Sequence, residues 1–196
     1  AYGVTKGLLQ EFGEDWVRDT PISEEILVGA AVGAAMTGLR PVAELMYVDF
    51  ITLAMDQLVN QAAKIRYMFG GQISVPMMLR SQGGTGRSAA AQHSQSLEAW
   101  VMHTPGLHLA MPADATDAYV LIKHALTLAD PVVFLEHKGL YAQSFPFNPE
   151  SAPPWGRAKI SRSGNDCSII CYSRMVQRSL EAAAQLAELG VEVEVV

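Results

Sequence analysis

A chain of 196 residues with 49% hydrophobic and 17% charged side chains can bury one good core, or one domain and part of a second, which excludes a disordered chain. Its 14 Lys and Arg against 20 Asp and Glu give a net charge of −6 without any basic run, which argues against nucleic acid as a partner. No apolar run reaches the ~20 residues that span a bilayer, and no signal pattern opens the chain, so a membrane role is not expected.

In chain order, a helix fits Thr5–Phe12 and a short strand fits Trp16–Asp19. Thr20-Pro21-Ile22-Ser23-Glu24 then carries a proline, a hydroxyl cap and an acid, which together mark a helix start. The helix over Ser23–Thr37 holds Gly29, Ala30, Ala31, Gly33, Ala34 and Ala35, small enough for another backbone to approach closely. Pro41–Tyr47 is a strand candidate. Asp49–Phe69 has the strongest helical period, with Ile51, Ala54, Met55, Leu58, Val59, Ala62, Ile65 and Phe69 on one face. A buried strand over Ile73–Arg80, a glycine loop over Ser81–Ser88 and a helix over Ser94–His103 follow. Leu107–Met111 and Pro131–Glu136 are strands separated by a helix over Ala115–Leu128. Strands alternating with helices predict an α/β fold, a doubly wound, mostly parallel sheet with helices on both faces. Residues 1–143 would form this domain. Four prolines mark 144–155 as a linker, and 156–196 as one βαβ unit opening a second α/β domain. Cys167 and Cys171, four apart on a strand, would lie about 13 Å from each other, too far to bridge. They are expected as buried free thiols in a reducing compartment. The mean hydropathy of +0.15 suggests that part of the apolar surface meets another chain.

Three groups of residues could carry chemistry. Gly84-Thr85-Gly86-Arg87-Ser88-Ala89 fits the G-x-G-x-x-A pattern of a dinucleotide site, but no ribose-binding acid follows about 20 residues on, so a tight turn at a sheet edge is the stronger reading. His93 lies near the carboxyl end of a parallel strand, where open α/β sheets bind ligands. The remaining histidines show no zinc-ligand spacing, and no G-x-S-x-G supports a serine hydrolase. Glu24, read locally, complements the helix dipole. With Met46, Tyr47 and Phe50 facing the same crevice, it could instead bind a flat heteroaromatic ring.

Thr20–Glu24, the run from Gly29 to Pro41, Asp56–Lys64 and Ala91-Gln92-His93-Ser94-Gln95-Ser96 closely resemble one family. It is the β subunit of the thiamine-diphosphate-dependent E1 component of 2-oxo acid and acetoin dehydrogenase complexes, with its transketolase-like pyrimidine-binding domain. The likeness covers nearly the whole chain, and Glu136-His137-Lys138 with Tyr141 looks closest to the acetoin and pyruvate branches.

The resemblance implies that Glu24 bonds N1′ of the cofactor aminopyrimidine and that Ile22, Met46 and Phe50 contact its ring. His93 would reach the reacting centre. Met46 and Phe50 stand where other members carry Gln and Tyr. A monovalent-cation loop, for an ion such as K+, would map near Ala125 and Asp130. The chain has no segment for Mg2+ and the diphosphate, which the family places on an α subunit. It also lacks the family's first strand and most of its C-terminal domain. The expected partners are therefore E1 α in an α2β2 assembly, a lipoyl-bearing E2, and a small 2-oxo acid or acetoin as substrate. The expected setting is the cytoplasm of a bacterium or a mitochondrial matrix. Three other readings stay open: a transketolase-like or deoxyxylulose-synthase-like pyrimidine domain, a nicotinamide-dependent oxidoreductase using Gly84–Ala89, and a non-catalytic assembly subunit.

Overall fold

The computed structural model describes residues 2–196. Strands β1 (Val42–Leu45), β2 (Met78–Gly83), β3 (His108–Ala110) and β4 (Val132–His137) form one parallel sheet in the order β1-β2-β4-β3. Met78 lies between Val42 and Val132, and Val132 between Met78 and His108, so one register runs across all four strands.

Side chains alternate along a strand, and here both faces are apolar. Leu79, Val133 and Leu135 point into the larger core with Val28, Ile51, Leu58, Leu97 and Val101. Met78, Val132 and Phe134 point the other way, towards Ala110, Ala125, Leu121 and Trp155. Helix α2 (Glu24–Met36), the segment from Val48 to Met68 and α4 (Glu98–Met102) thus cover one face. Helix α5 (Ala115–Ala125) covers the other, the doubly wound arrangement the strand and helix alternation predicts.

Several local expectations are corrected. Trp16–Asp19 forms no strand: the amides of Trp16 and Val17 both turn back to the carbonyl of Gly13. Only Leu8–Phe12 of the first stretch is helical, as α1. The stretch Asp49–Phe69 is not one α-helix. It winds as 3-10 turns over Val48–Ala54, π turns over Asp56–Ala62, and α3 only over Ala63–Met68. Ile51, Ala54, Leu58, Ala62 and Ile65 are buried throughout, while Phe69 is exposed. Apolar spacing reports which face is buried, and the three windings differ too little per turn to be told apart that way. Strand β2 starts at Met78 rather than Ile73, beyond Pro76, which has no N–H for a ladder.

The proline-rich segment is pinned rather than free. The amide of Asn148 donates to Thr116 Oγ1 at 3.0 Å, Phe147 meets Tyr119 edge-on, and Trp155 stacks on His124 at 4.9 Å. Beyond it, β5 (Cys167–Ile169) pairs in parallel with β6 (Val193–Val195), and α6 (Arg174–Glu188) packs Ala183 against Val193 and Val195. Cys167 is exposed and Cys171 half-buried, so the expected burial of both thiols does not hold. Strand β5 ends at Ile169, so the two cysteines do not share one strand.

Candidate active site

Met46, Phe50 and His93 lie near the carboxyl ends of β1 and β2, where polar groups of the sheet form a network. Arg80 on β2 is almost fully buried. Its Nη1 donates to Glu44 Oε2 on β1 at 2.8 Å, and its Nη2 donates to Glu136 Oε2 on β4. Tyr141 OH donates to the same Glu136 oxygen at 2.7 Å. Burial and the Glu136 carboxylate push the Tyr141 hydroxyl well above its ordinary range, which keeps it a donor. Three strands are thereby tied by one guanidinium. The next two residues of β2 reach β1 as well: Ser81 Oγ donates to the Leu45 carbonyl at 2.7 Å, and Gln82 Nε2 to the Met46 carbonyl at 2.5 Å. Sequence reasoning overlooked this network. Its signal was an arginine inside an otherwise apolar strand, which needs buried anions.

His93 sits in a 3-10 turn over Ala91–His93. Its ring meets Tyr47 edge-on at 4.6 Å and Phe50 at 5.4 Å. Its main-chain oxygen accepts a hydrogen bond from Lys138 Nζ, and Lys138 is fully buried. Two residues on, the amide of Gln95 donates to Asp49 Oδ1 at 3.0 Å, and its carbonyl accepts from Gly84 N at 2.9 Å. That backbone is spent on the sheet end, which is why α4 begins at Glu98 and not at Ser94. The structure therefore brings His93 and Phe50 together, with Met46 at the adjoining strand end, half in solvent. Tyr2 also reaches the cluster, its hydroxyl 3.3 Å from that of Tyr47.

Glu24 is the first residue of α2 and is half-buried. Ser23 occupies the N-cap position, but its side chain makes no capping bond. Glu24 has no hydrogen bond or ion pair among the described residues, whereas its neighbour Glu25 accepts from Gln57 Nε2 at 3.3 Å. Ile22 is 76% exposed, with Ile26 open beside it. Helix α2 packs on the 3-10 segment that carries Phe50. Among the described residues Glu24 makes no hydrogen bond with this cluster; a carboxylate and flat apolar walls are the kinds of group that an aminopyrimidine needs.

Ala125 and Asp130 are a different case. Ala125 is buried at the end of α5, and Asp130 Oδ1 is ion-paired to Arg66 Nη1 at 2.6 Å. The carbonyls of Leu126 and Leu128 both accept from Arg40 Nη1, at 2.9 and 2.8 Å. Two guanidinium groups thus already bond to oxygens in this segment. Among the described residues no cluster of three His, Cys, Asp or Glu could hold a metal.

The glycine loop does not run into a helix. Gly84 and Gly86 adopt φ of +85° and +99°, and eleven residues separate Gly86 from the five-residue α4. A dinucleotide pyrophosphate needs a helix N-terminus directly after such a loop, so the nicotinamide reading loses its support.

Comparison with known proteins shows the family. The family described as "Transketolase, pyrimidine binding domain" matches residues 1–143. The chain belongs to that family. A second match, "Transketolase, C-terminal domain", covers residues 156–196. The chain is 50% identical over 196 residues to the acetoin:2,6-dichlorophenolindophenol oxidoreductase subunit beta of Cupriavidus necator, covering 99% of this chain and 57% of that one. It is 50% identical over 195 residues to the subunit of the same name from Bacillus subtilis, covering 98% of this chain and 57% of that one. To the pyruvate dehydrogenase E1 component subunit beta of Rhizobium meliloti it is 46% identical over 198 residues, covering 100% of this chain and 43% of the relative. The chain thus spans about half the length of these relatives. A solved structure named "Split gene transketolase, inactive beta4 tetramer" superposes with a TM-score of 0.81 at 21% identity, covering 100% of this chain and 61% of that one, a likeness of fold. No helix among the described residues is long and apolar enough to cross a membrane.

Proposed function

We propose that this chain is the pyrimidine-binding part of a β-type E1 subunit of a thiamine-diphosphate-dependent dehydrogenase acting on acetoin or a 2-oxo acid. On this reading, residues 1–143 hold the cofactor ring, 144–155 connect, and 156–196 open the C-terminal transketolase-like domain. The observation that carries the reading is the carboxylate of Glu24, without a partner among the described residues, at the start of a helix that packs on the segment whose Phe50 meets His93. The names of the relatives, acetoin oxidoreductase subunit beta and pyruvate dehydrogenase E1 subunit beta, point the same way.

The bound thiamine diphosphate supplies an acidic thiazolium carbon and an electron sink. The chain's own residues hold and orient it. Glu24 would hold a proton at the N1′ position of the aminopyrimidine and take it back, a general acid and base role that gains from exclusion of water around the carboxyl group. Ile22, Met46 and Phe50 would form the apolar walls against the ring. His93, kept from rotating by Tyr47 and Phe50, would present an imidazole nitrogen to the substrate oxygen. The exposed Ile22 and Ile26 suit closure by an α subunit, which would also hold Mg2+ and the diphosphate. Acyl transfer to a lipoyl-bearing partner, in the cytoplasm or a mitochondrial matrix, completes the proposed role.

Glu24→Gln tests it. In the complex reconstituted with an α subunit, exchange of the cofactor C2 proton, followed by proton NMR after acid quench, should slow by roughly 100-fold or more. Exchange at the unaltered rate would refute the assignment and leave the chain an assembly subunit.

A further inference from the structure

A cavity of about 210 Å3 opens between the sheet end and α6, and none of the roles above uses it. Gly84, Thr85, Glu98, His137, Ser173 and Arg174 line it. Helix α6 is 15 residues long and its N-terminus faces this space, with Ser173 at the N-cap position. The Ser173 side chain makes no capping bond, and its hydroxyl oxygen is buried without a hydrogen-bond partner among the described residues, the whole residue being 3% exposed. Its φ of +53° is one that glycine adopts without strain, yet a hydroxyl stands there. Buried hydroxyls are normally satisfied, so this one calls for a partner.

The other unspent groups are also donors. Arg174 has no ion pair or hydrogen bond among the described residues, and the loop makes room for its guanidinium: a Cβ on Gly86 would come within 2.7 Å of its Nη1, and one on Gly139 within 2.9 Å. His137 Nδ1 accepts from Gly139 N at 3.0 Å, so the neutral ring carries its proton on Nε2. That nitrogen faces Gly84, where a Cβ would not fit. Two carboxylates border the space but are already bonded. Glu136 is held by Arg80 and Tyr141, and Glu98 Oε1 accepts from Tyr172 OH at 3.1 Å. Lys138 lies behind, bonded to the His93 carbonyl.

We propose that this cavity binds a small oxyanion, a phosphate or a short carboxylate, with Arg174 providing the charge and Ser173 Oγ and His137 Nε2 donating hydrogen bonds. The helix N-terminus adds partial positive charge at the same point. Glu24 does not line the cavity, so the proposal stands whether or not the cofactor assignment does.

Isothermal titration of the full chain with inorganic phosphate, and in a second arm with acetate, at constant ionic strength tests the proposal. One anion per chain should bind, with a Kd at or below about 1 mM. Saturation by phosphate alone identifies a phosphoryl ligand, by acetate alone a carboxylate, and by both an unselective oxyanion site. Arg174→Gln should weaken binding at least about tenfold, because it removes the charge from a charge-assisted bond. Ser173→Gly removes the hydroxyl together with the backbone strain, so it should fold well and still bind several-fold more weakly. Absence of saturation with either anion, or equal affinity in both folded variants, overturns the proposal.

Discussion

His93 and Glu24, the two residues to which chemistry is assigned, are held by opposite means. Around His93 the chain supplies everything. A buried ammonium holds its carbonyl, a buried carboxylate holds the amide two residues on, and two aromatic rings fix the imidazole. Around Glu24 the described residues supply almost nothing: no hydrogen bond to the carboxylate, no cap from Ser23, and Ile22 and Ile26 open to solvent. The surroundings of His93 are finished within the chain, and those of Glu24 leave a carboxylate and apolar side chains open. A proton relay to a ligand needs that openness, because a carboxylate already paired inside the chain would have no free oxygen for the ring.

The largest effect should come from the finished surroundings. Arg80→Met would leave Glu44 and Glu136 without their shared cation. Removing one member of a buried ion network costs about 3–5 kcal/mol, because the remaining charges stay buried. Urea denaturation should show that loss, and the ends of β1 and β4 should lose amide protection first. A loss below about 1 kcal/mol would mean that solvent replaces Arg80 easily and that the sheet end is not rigid.

The same contrast explains what the sequence made legible. The parallel sheet and its two apolar faces follow from local pattern, since alternating strands and helices leave few topologies. Glu24 and His93 are prominent because each sits in a motif at an element boundary. Arg80, Asp49 and Lys138 are not: each acts through a partner 36 to 56 residues away, or reaches a backbone atom, and no local spacing encodes such pairings. The winding of Val48–Ala62 was hidden for a related reason. Its 3-10 start lets Val48 pack on Gly83 and Asp49 reach Gln95, and both contacts lie across the fold.

A smaller effect, with a split readout, should follow Lys138→Met. The ammonium is fully buried with the His93 carbonyl as its hydrogen-bond acceptor and the Tyr47 ring 5.8 Å away, and it has no carboxylate partner among the described residues. Replacing an isolated buried charge by an apolar chain of similar volume should leave global stability unchanged or raise it by about 1 kcal/mol. The segment 91–96 should nonetheless exchange its amide protons on the order of tenfold faster, since its own tether is gone. A drop in global stability without faster local exchange would show that Lys138 supports the core rather than His93.

The smallest effect is a slope against pH, and it separates the two surroundings without changing either. Burial, then Arg174 and Lys138, hold the His137 imidazole below its ordinary value. The folded chain therefore binds fewer protons at this residue than the unfolded chain as pH falls through about 6.5. Stability contributed by neutral His137 is fully present above that value and is lost on acidification towards the folded-state value. His137→Gln keeps an acceptor for the Gly139 amide and has no proton to gain, so the fall in stability between pH 7 and pH 5 should be shallower by less than one proton. Paired urea titrations at the two pH values measure this. Because Glu24 shares no partner with His137, Glu24→Gln should leave that difference in slope intact, and a change there would mean that the open and the finished surroundings are coupled through the sheet end.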